Sequence, residues 1–188
     1  MLPDVVGDDP VVVFCGEAGA ESTKSRDHRY ETPGNAFYEL LHASGMTPER
    51  LRPEDEHRLP AYGLGSTDVV NHWDPRWVEV DDLVRKVERW APEWLAFTGK
   101  GTAQTVARAL GRRPPQRLGP TDWYLGGAQV FVLPGPSGAN RRHDYDGRPH
   151  RLAWFRDLAG LAGLDASHGP GELDEPEEGT RGVEASAT

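Results

Sequence analysis

Two glycine-rich stretches carry the residues best suited to chemistry. Gly16-Glu17-Ala18-Gly19-Ala20 follows the apolar run Val11-Val12-Val13-Phe14-Cys15. The second stretch, Pro134-Gly135-Pro136-Ser137-Gly138-Ala139-Asn140-Arg141-Arg142, follows Val130-Phe131-Val132-Leu133. An unbroken apolar run of this length is the pattern of a central strand in a parallel sheet, covered on both faces. A loop at the carboxyl end of such a strand lies where open α/β sheets bind ligands. Glycine allows backbone N–H groups to come close to a bound group. Arg141 and Arg142 add charge and planar forks that match phosphate oxygens. Together the two loops suit a small planar group held beside a phosphate chain.

The elements that must position these loops follow from periodicity and punctuation. A strand over Val11–Cys15 starts after Pro10. Pro33-Gly34-Asn35 opens a helix in which Phe37, Leu40 and Leu41 fall on one face and Gly45 stops it, with Asn35 suited to capping. Thr47-Pro48-Glu49-Arg50 resembles a second helix start, with proline at the first helical position. Tyr62 to Val70 is a loop running into an extended piece, and Asn71 to Trp77 is a surface loop. Val80, Leu83, Val84, Val87 and Trp90 share one face of an amphipathic helix. Trp94–Phe97 is a strand, Gly101–Leu110 a helix, Ala128–Leu133 a strand and Arg148–Leu161 a final helix. Strands alternating with helices predict an α/β fold, a three-layer α/β/α arrangement around a central, mostly parallel sheet.

The chain has 188 residues, 37% hydrophobic and 27% charged, with Gly 22 and Pro 16. That size and composition predict one globular domain rich in loops. The net charge of −9 is unevenly spread. Seven acids against Arg181 give residues 165–188 a charge of −6, and Asp4, Asp8 and Asp9 give residues 1–9 a charge of −3. Residues 10–164 are therefore neutral, with Arg141, Arg142, Arg148 and Arg151 clustered after the second loop. This divides the chain into a flexible acidic N-terminus (1–9), a single domain (10–164) and a disordered acidic tail (165–188). The lone Cys15 excludes a disulfide framework and any four-cysteine metal or cluster site. His143 and His150, near Asp144 and Asp146, lack the spacing of a structural zinc site, and no metal or cofactor is expected. No apolar stretch approaches a membrane span and no amino-terminal signal pattern is seen, so the cytoplasm is the expected compartment.

Four motifs in order resemble one family. They are Phe14-Cys15-Gly16-x-x-Gly19, Pro33-Gly34-Asn35-x-Phe37-Tyr38, Leu59-Pro60-x-Tyr62-Gly63-Leu64-Gly65-x-Thr67-Asp68, and Val132-Leu133-Pro134-x-Pro136-Ser137-Gly138. Over about residues 10–162 the chain resembles the mismatch-specific uracil/thymine-DNA glycosylases of the uracil-DNA glycosylase superfamily. The resemblance implies an enzyme that swings uracil, or a related deaminated or mismatched base, out of DNA and hydrolyses its N-glycosidic bond. The expected partner is DNA carrying uracil or a G:U or G:T mismatch, and the expected state is a monomer. No lysine stands in the recognised loops to form a Schiff base, so simple hydrolysis without strand cleavage is expected.

Site roles follow from the same resemblance. Backbone amides at Gly16 and Glu17 would approach the base oxygens, Tyr30 would stack on the base, and Asn35 would contact it or cap the helix. Ser137, Gly138, Ala139, Asn140, Arg141 and Arg142 would form the loop that enters the duplex and grips phosphates. Two positions depart from the family pattern. Its water-activating Asn or Asp is replaced by Ala18, and its second-loop asparagine by Gly135. Asp68 is the candidate that compensates as the catalytic carboxylate, with Glu17 and Glu21 as the alternatives. The departures also motivate a second reading, a non-catalytic protein that binds damaged DNA on the same fold.

Overall fold

The apolar runs form the inner strands of a five-stranded sheet. The computed structural model of the chain describes residues 2–19, 26–71 and 80–165. Its strands are β1 (Val12–Gly19), β2 (Leu64–Asn71), β3 (Trp94–Phe97), β4 (Gly119–Leu125) and β5 (Ala128–Val132). Their order across the sheet is β2-β1-β3-β5-β4. All neighbours are parallel except β4, which runs antiparallel to β5 at one edge. Helices α1 (Phe37–Ala43), α2 (Val80–Trp90), α3 (Lys100–Ala109) and α4 (Leu152–Leu161) flank it. The expected α/β architecture with a mostly parallel sheet is present. Phe14, Phe97, Phe131, Phe37 and Phe155 are fully buried and form the centre of the core.

The chain leaves β1 for β2 on one side and later returns to β3 on the other. That reversal makes the carboxyl ends of β1 and β3 a topological switch point, where open sheets have a natural crevice. Gly16 lies toward the end of β1 and Thr98 immediately follows β3, so this crevice is where the chemistry-bearing residues should be sought.

Several local expectations change. The glycine-rich stretch after Cys15 continues as strand to Gly19, because Gly16 to Gly19 pair with Asp68 to Asn71 of β2. No α-helix starts at Thr47: its hydroxyl donates to the Glu49 carbonyl at 2.9 Å instead of capping a turn. A 3-10 helix spans Pro53–Tyr62, opened by the Arg52 N–H donating to Asp55 Oδ2 at 3.1 Å. It ends at Gly63, whose φ of 69° lies in the left-handed region that glycine tolerates. The final helix begins at Leu152 rather than Arg148.

The acidic N-terminus is corrected too. Composition assigns residues 1–9 to a flexible end, yet Leu2 to Val6 lie against the sheet. Val5 and Ser66 exchange both backbone hydrogen bonds, at 3.0 and 2.7 Å, an antiparallel bridge alongside the outer edge of β2. Thr67 Oγ1 donates to Asp4 Oδ1 at 2.6 Å, and Lys86 of α2 reaches Asp4 at 3.0 Å and Asp82 at 2.9 Å. Gly65 makes the approach possible, since a Cβ there would meet Val6 at 3.0 Å and the Val5 carbonyl at 3.1 Å. Asn71, expected to open a surface loop, is the last residue of β2; the rest of that expected loop (72–77) and the tail beyond Asp165 lie outside the described residues, as does Glu21.

Candidate functional site

Register brings the first candidates together. Gly16 and Asp68 are direct partners across β1 and β2. Because Gly16 has no side chain, the Asp68 carboxylate can lean over it: a Cβ at Gly16 would lie 2.5 Å from Asp68 Oδ1. The same point is 3.6 Å from the Tyr30 hydroxyl and 3.7 Å from Thr98 Oγ1. Three oxygens from three segments therefore surround one bare patch of backbone at the switch point.

Each oxygen is held from behind. Asp68 Oδ2 accepts from Arg29 Nε at 2.8 Å, an ion pair in which Arg29 is only 3% exposed and Asp68 14%. Oδ1, turned toward Gly16, accepts no hydrogen bond from any described residue. Thr98 Oγ1 donates to the Cys15 carbonyl at 3.3 Å, which leaves it to accept from the Tyr30 hydroxyl, also at 3.3 Å. Burial, with the nearby Asp68 charge, pushes the Tyr30 phenol well above its ordinary range, so it remains a neutral donor. The same two causes raise the Cys15 thiol, which is fully buried and is therefore a core group rather than a nucleophile.

Tyr30 is placed by unusual backbone geometry. Its φ is 61°, costly for a residue with a Cβ, and the surrounding contacts hold it there. The ring stacks on Phe37 of α1, with centroids 3.8 Å apart and planes 20° apart. Phe37 in turn meets Phe14 and Tyr38 edge-on. Asn35 Oδ1 accepts from the Phe37 N–H at 3.0 Å, which fixes the start of the helix carrying this aromatic cluster. Glu17 occupies the next strand position after Gly16 and so faces the other side of the sheet. It is exposed and its Oε2 accepts from Thr102 of α3 at 3.3 Å. Ala18 offers only a methyl group on the Gly16 side.

The second loop closes on the same crevice from β5. A Cβ at Gly135 would lie 3.8 Å from the Thr98 carbonyl oxygen, so Thr98 stands between the two glycine-rich segments. The loop is braced throughout. Asn140 Nδ2 donates to the Gly135 carbonyl at 2.9 Å and its N–H to the Ser137 carbonyl at 3.0 Å. Ser137 Oγ accepts from the Ala139 N–H at 3.3 Å. Arg151 Nη1 donates to the Gly135 and Ser137 carbonyls at 3.3 and 3.2 Å. The Ala36 N–H donates to the Pro136 carbonyl at 2.9 Å, and Gly138 rests on Gly34, where a Cβ would come within 2.6 Å of the Gly34 carbonyl oxygen.

The basic cluster read from sequence divides in two. Arg151 braces the loop, while Arg148 covers the Trp154 ring at 4.0 Å and pairs with Asp157 at 2.6 Å. Arg141 and Arg142 are exposed and make no polar contact with any described residue, leaving their guanidinium groups to solvent. Sequence reasoning missed Arg29 and Thr98. Thr98 had a signal, since it follows an apolar strand and precedes Gly99 at a helix start. Arg29 had none, because its partners come from residues far away in the chain.

Comparisons with known proteins bear on the family and the fold. The family model of the uracil DNA glycosylase superfamily matches residues 3–159. A solution structure of a candidate uracil DNA glycosylase from Methanosarcina acetivorans is similar in fold, with a TM-score of 0.53 and 20% identity. That match covers 84% of this chain and 96% of the archaeal one. With a family model spanning most of its length and a matching sheet architecture, this chain belongs to the uracil DNA glycosylase superfamily.

Proposed function

We propose that the chain is a monofunctional DNA glycosylase that excises uracil from DNA and leaves an abasic site. The observation that carries this reading is the convergence of Asp68 Oδ1, the Tyr30 hydroxyl and Thr98 Oγ1 over Gly16. A flipped nucleotide needs an aromatic surface, donors for its polar edge and a carboxylate near its sugar. Tyr30 supplies the surface on the ring face not taken by Phe37. Backbone N–H groups of the glycine-rich segments supply donors at the base, where negative charge develops, while the Tyr30 hydroxyl proton stays on Thr98 Oγ1 and fixes the ring.

In the reaction the N-glycosidic bond breaks with its electron pair leaving on the base. The sugar becomes an oxocarbenium-like cation, which water attacks at the anomeric carbon. The Asp68 carboxylate balances the cation and takes the proton from that water. Asp68 thus replaces the carboxylate or amide that Ala18 cannot provide. Arg141 and Arg142 hold phosphates on either side of the damaged nucleotide.

The test is an oligonucleotide with a single uracil, incubated with protein in excess and then treated with alkali, which cleaves only at an abasic site. The parent chain should release uracil, and Asp68→Asn should slow release by about 100-fold or more. Full turnover by a folded Asp68→Asn variant would refute the catalytic assignment. Binding of the uracil duplex without any cleavage by the parent would instead favour the damage-binding reading that Ala18 and Gly135 suggest. Parallel substrates with thymine, hypoxanthine or xanthine define the base range.

A further inference from the structure

We propose that Arg29 is a positioning residue of this site, clamped from behind by Leu2 and Pro3, so that the amino-terminal segment is part of the catalytic apparatus. The inference rests on the assignment of Asp68 as the catalytic carboxylate. A buried arginine in a polar loop needs a reason, because an unpaired guanidinium is very costly to remove from water. Here its fork is distributed over three partners. Nε donates to Asp68 Oδ2 at 2.8 Å, Nη1 to the Pro3 carbonyl at 2.6 Å and Nη2 to the Leu2 carbonyl at 3.2 Å. Asp4 Oδ1 lies 3.8 Å from Nη2 and adds a second negative charge.

The backbone of the same residue is equally fixed. Its N–H donates to Glu56 Oε2 at 3.2 Å, and its carbonyl accepts from the buried Tyr38 hydroxyl at 3.5 Å. Glu56 itself is buried on the 3-10 helix. The residue that orients the carboxylate therefore also directly precedes the strained Tyr30. One side chain and its own peptide groups set both the aromatic surface and the acid at their separation across Gly16.

The division of the carboxylate follows. Arg29 occupies Oδ2 and prevents the group from rotating, which leaves Oδ1 as the oxygen presented to the crevice. Two carbonyls alone would not fix a guanidinium in direction. The Val5–Ser66 bridge does so by anchoring the segment that carries them to the same strand as Asp68. Arginine is required rather than lysine, since an ammonium cannot reach three acceptors in one plane.

Single-turnover uracil release by the full-length chain tests this, alongside binding to a duplex with non-hydrolysable 2′-fluoro-deoxyuridine. Arg29→Ala should slow release by about 100-fold, the effect expected when a catalytic group moves by an ångström, while binding changes by less than about threefold. Added guanidinium ion should restore at least about tenfold of the Arg29→Ala rate by refilling the vacated fork site, and should do nothing for Asp68→Asn. If Arg29→Ala does not fold, Arg29→Lys carries the test, and it should melt as a folded protein yet remain more than about tenfold slow. A folded Arg29 variant within about threefold of the parent rate overturns the proposal, as does a loss that guanidinium leaves untouched or that binding accounts for in full. A parent chain that releases no uracil overturns the functional reading itself, a result distinct from an active parent indifferent to Arg29.

Discussion

Gly16→Ala separates the chemistry of the site from the stability of the fold. The added Cβ would lie 2.5 Å from Asp68 Oδ1, whereas ordinary contact begins at 3.4 Å, so the carboxylate must retreat by about 0.9 Å. It cannot retreat freely, because Oδ2 is tied to Arg29 Nε at 2.8 Å and that bond weakens steeply as it lengthens or tilts. The backbone at Gly16 is ordinary strand paired with Asp68, so alanine is locally permitted there. Reduced freedom of the unfolded chain returns about 0.4–1 kcal/mol, offsetting much of the strain. Net stability should therefore change by less than about 1 kcal/mol. Catalysis should fall by about 100-fold, equivalent to about 2.7 kcal/mol of barrier. Thermal melting and single-turnover uracil release, measured on the same preparation, check both halves. A stably folded Gly16→Ala protein within about threefold of the parent rate would refute the argument that Asp68 acts from above this glycine.

Two further outcomes follow from the loops. Replacing both Arg141 and Arg142 by glutamine should weaken binding to any duplex and reduce the slope of log affinity against log salt by about 2, with the ratio between uracil and control duplexes unchanged. An unchanged slope would remove these residues from the phosphate interface. Asp146 accepts from Lys100 Nζ with both oxygens at 2.9 Å and from the Leu118 N–H at 2.6 Å, tying the segment after the second loop to the start of α3 and to the residue preceding β4. Burial alone would raise its carboxyl, but Lys100 and the Leu118 N–H outweigh it and hold the group below the usual range. A lowered folded value stabilises the protein above the ordinary aspartate range, and the benefit is lost as pH falls through the folded value. Asp146→Asn should therefore cost about 1 kcal/mol at neutral pH, and its deficit against the parent should shrink as pH drops below about 4. A deficit constant across that range in denaturant titrations would show that the charge plays no part.

The segments legible from sequence were those whose signal is local. β3 is an unbroken apolar run, β5 is apolar apart from Gln129, and α2 repeats its apolar residues at helical spacing, so neighbours in sequence suffice to define them. β4 was not legible: Gly119-Pro120-Thr121-Asp122 resembles a turn, and it becomes a strand only because β5 offers a partner at an edge where proline is tolerated. Gly16 to Gly19 resemble a loop for the same reason and are strand because β2 extends alongside. In the site, Gly16 and Asp68 stand in the motifs and Tyr30 was named from the family resemblance, and the structure brings the three together. Arg29 was not legible, since burying a charged loop residue depends on carbonyls at positions 2 and 3 and a carboxylate at 68. Such a role is a property of the folded chain and has no local sequence signature.

On the proposed function, the bracing of Gly135 to Asn140 bears on how long an extrahelical nucleotide would survive. A probe that is already shaped before it meets the duplex spends little ordering entropy on entry. Its tip, however, carries only Ser137, Gly138, Ala139 and Asn140, too slight to fill the vacancy a departed base leaves in the stack. Re-stacking is then opposed mainly at the other end, by the grip on the base itself. On the proposed function, nucleotides that fit the crevice poorly would return to the helix before the bond breaks, and damage would be sorted by residence time.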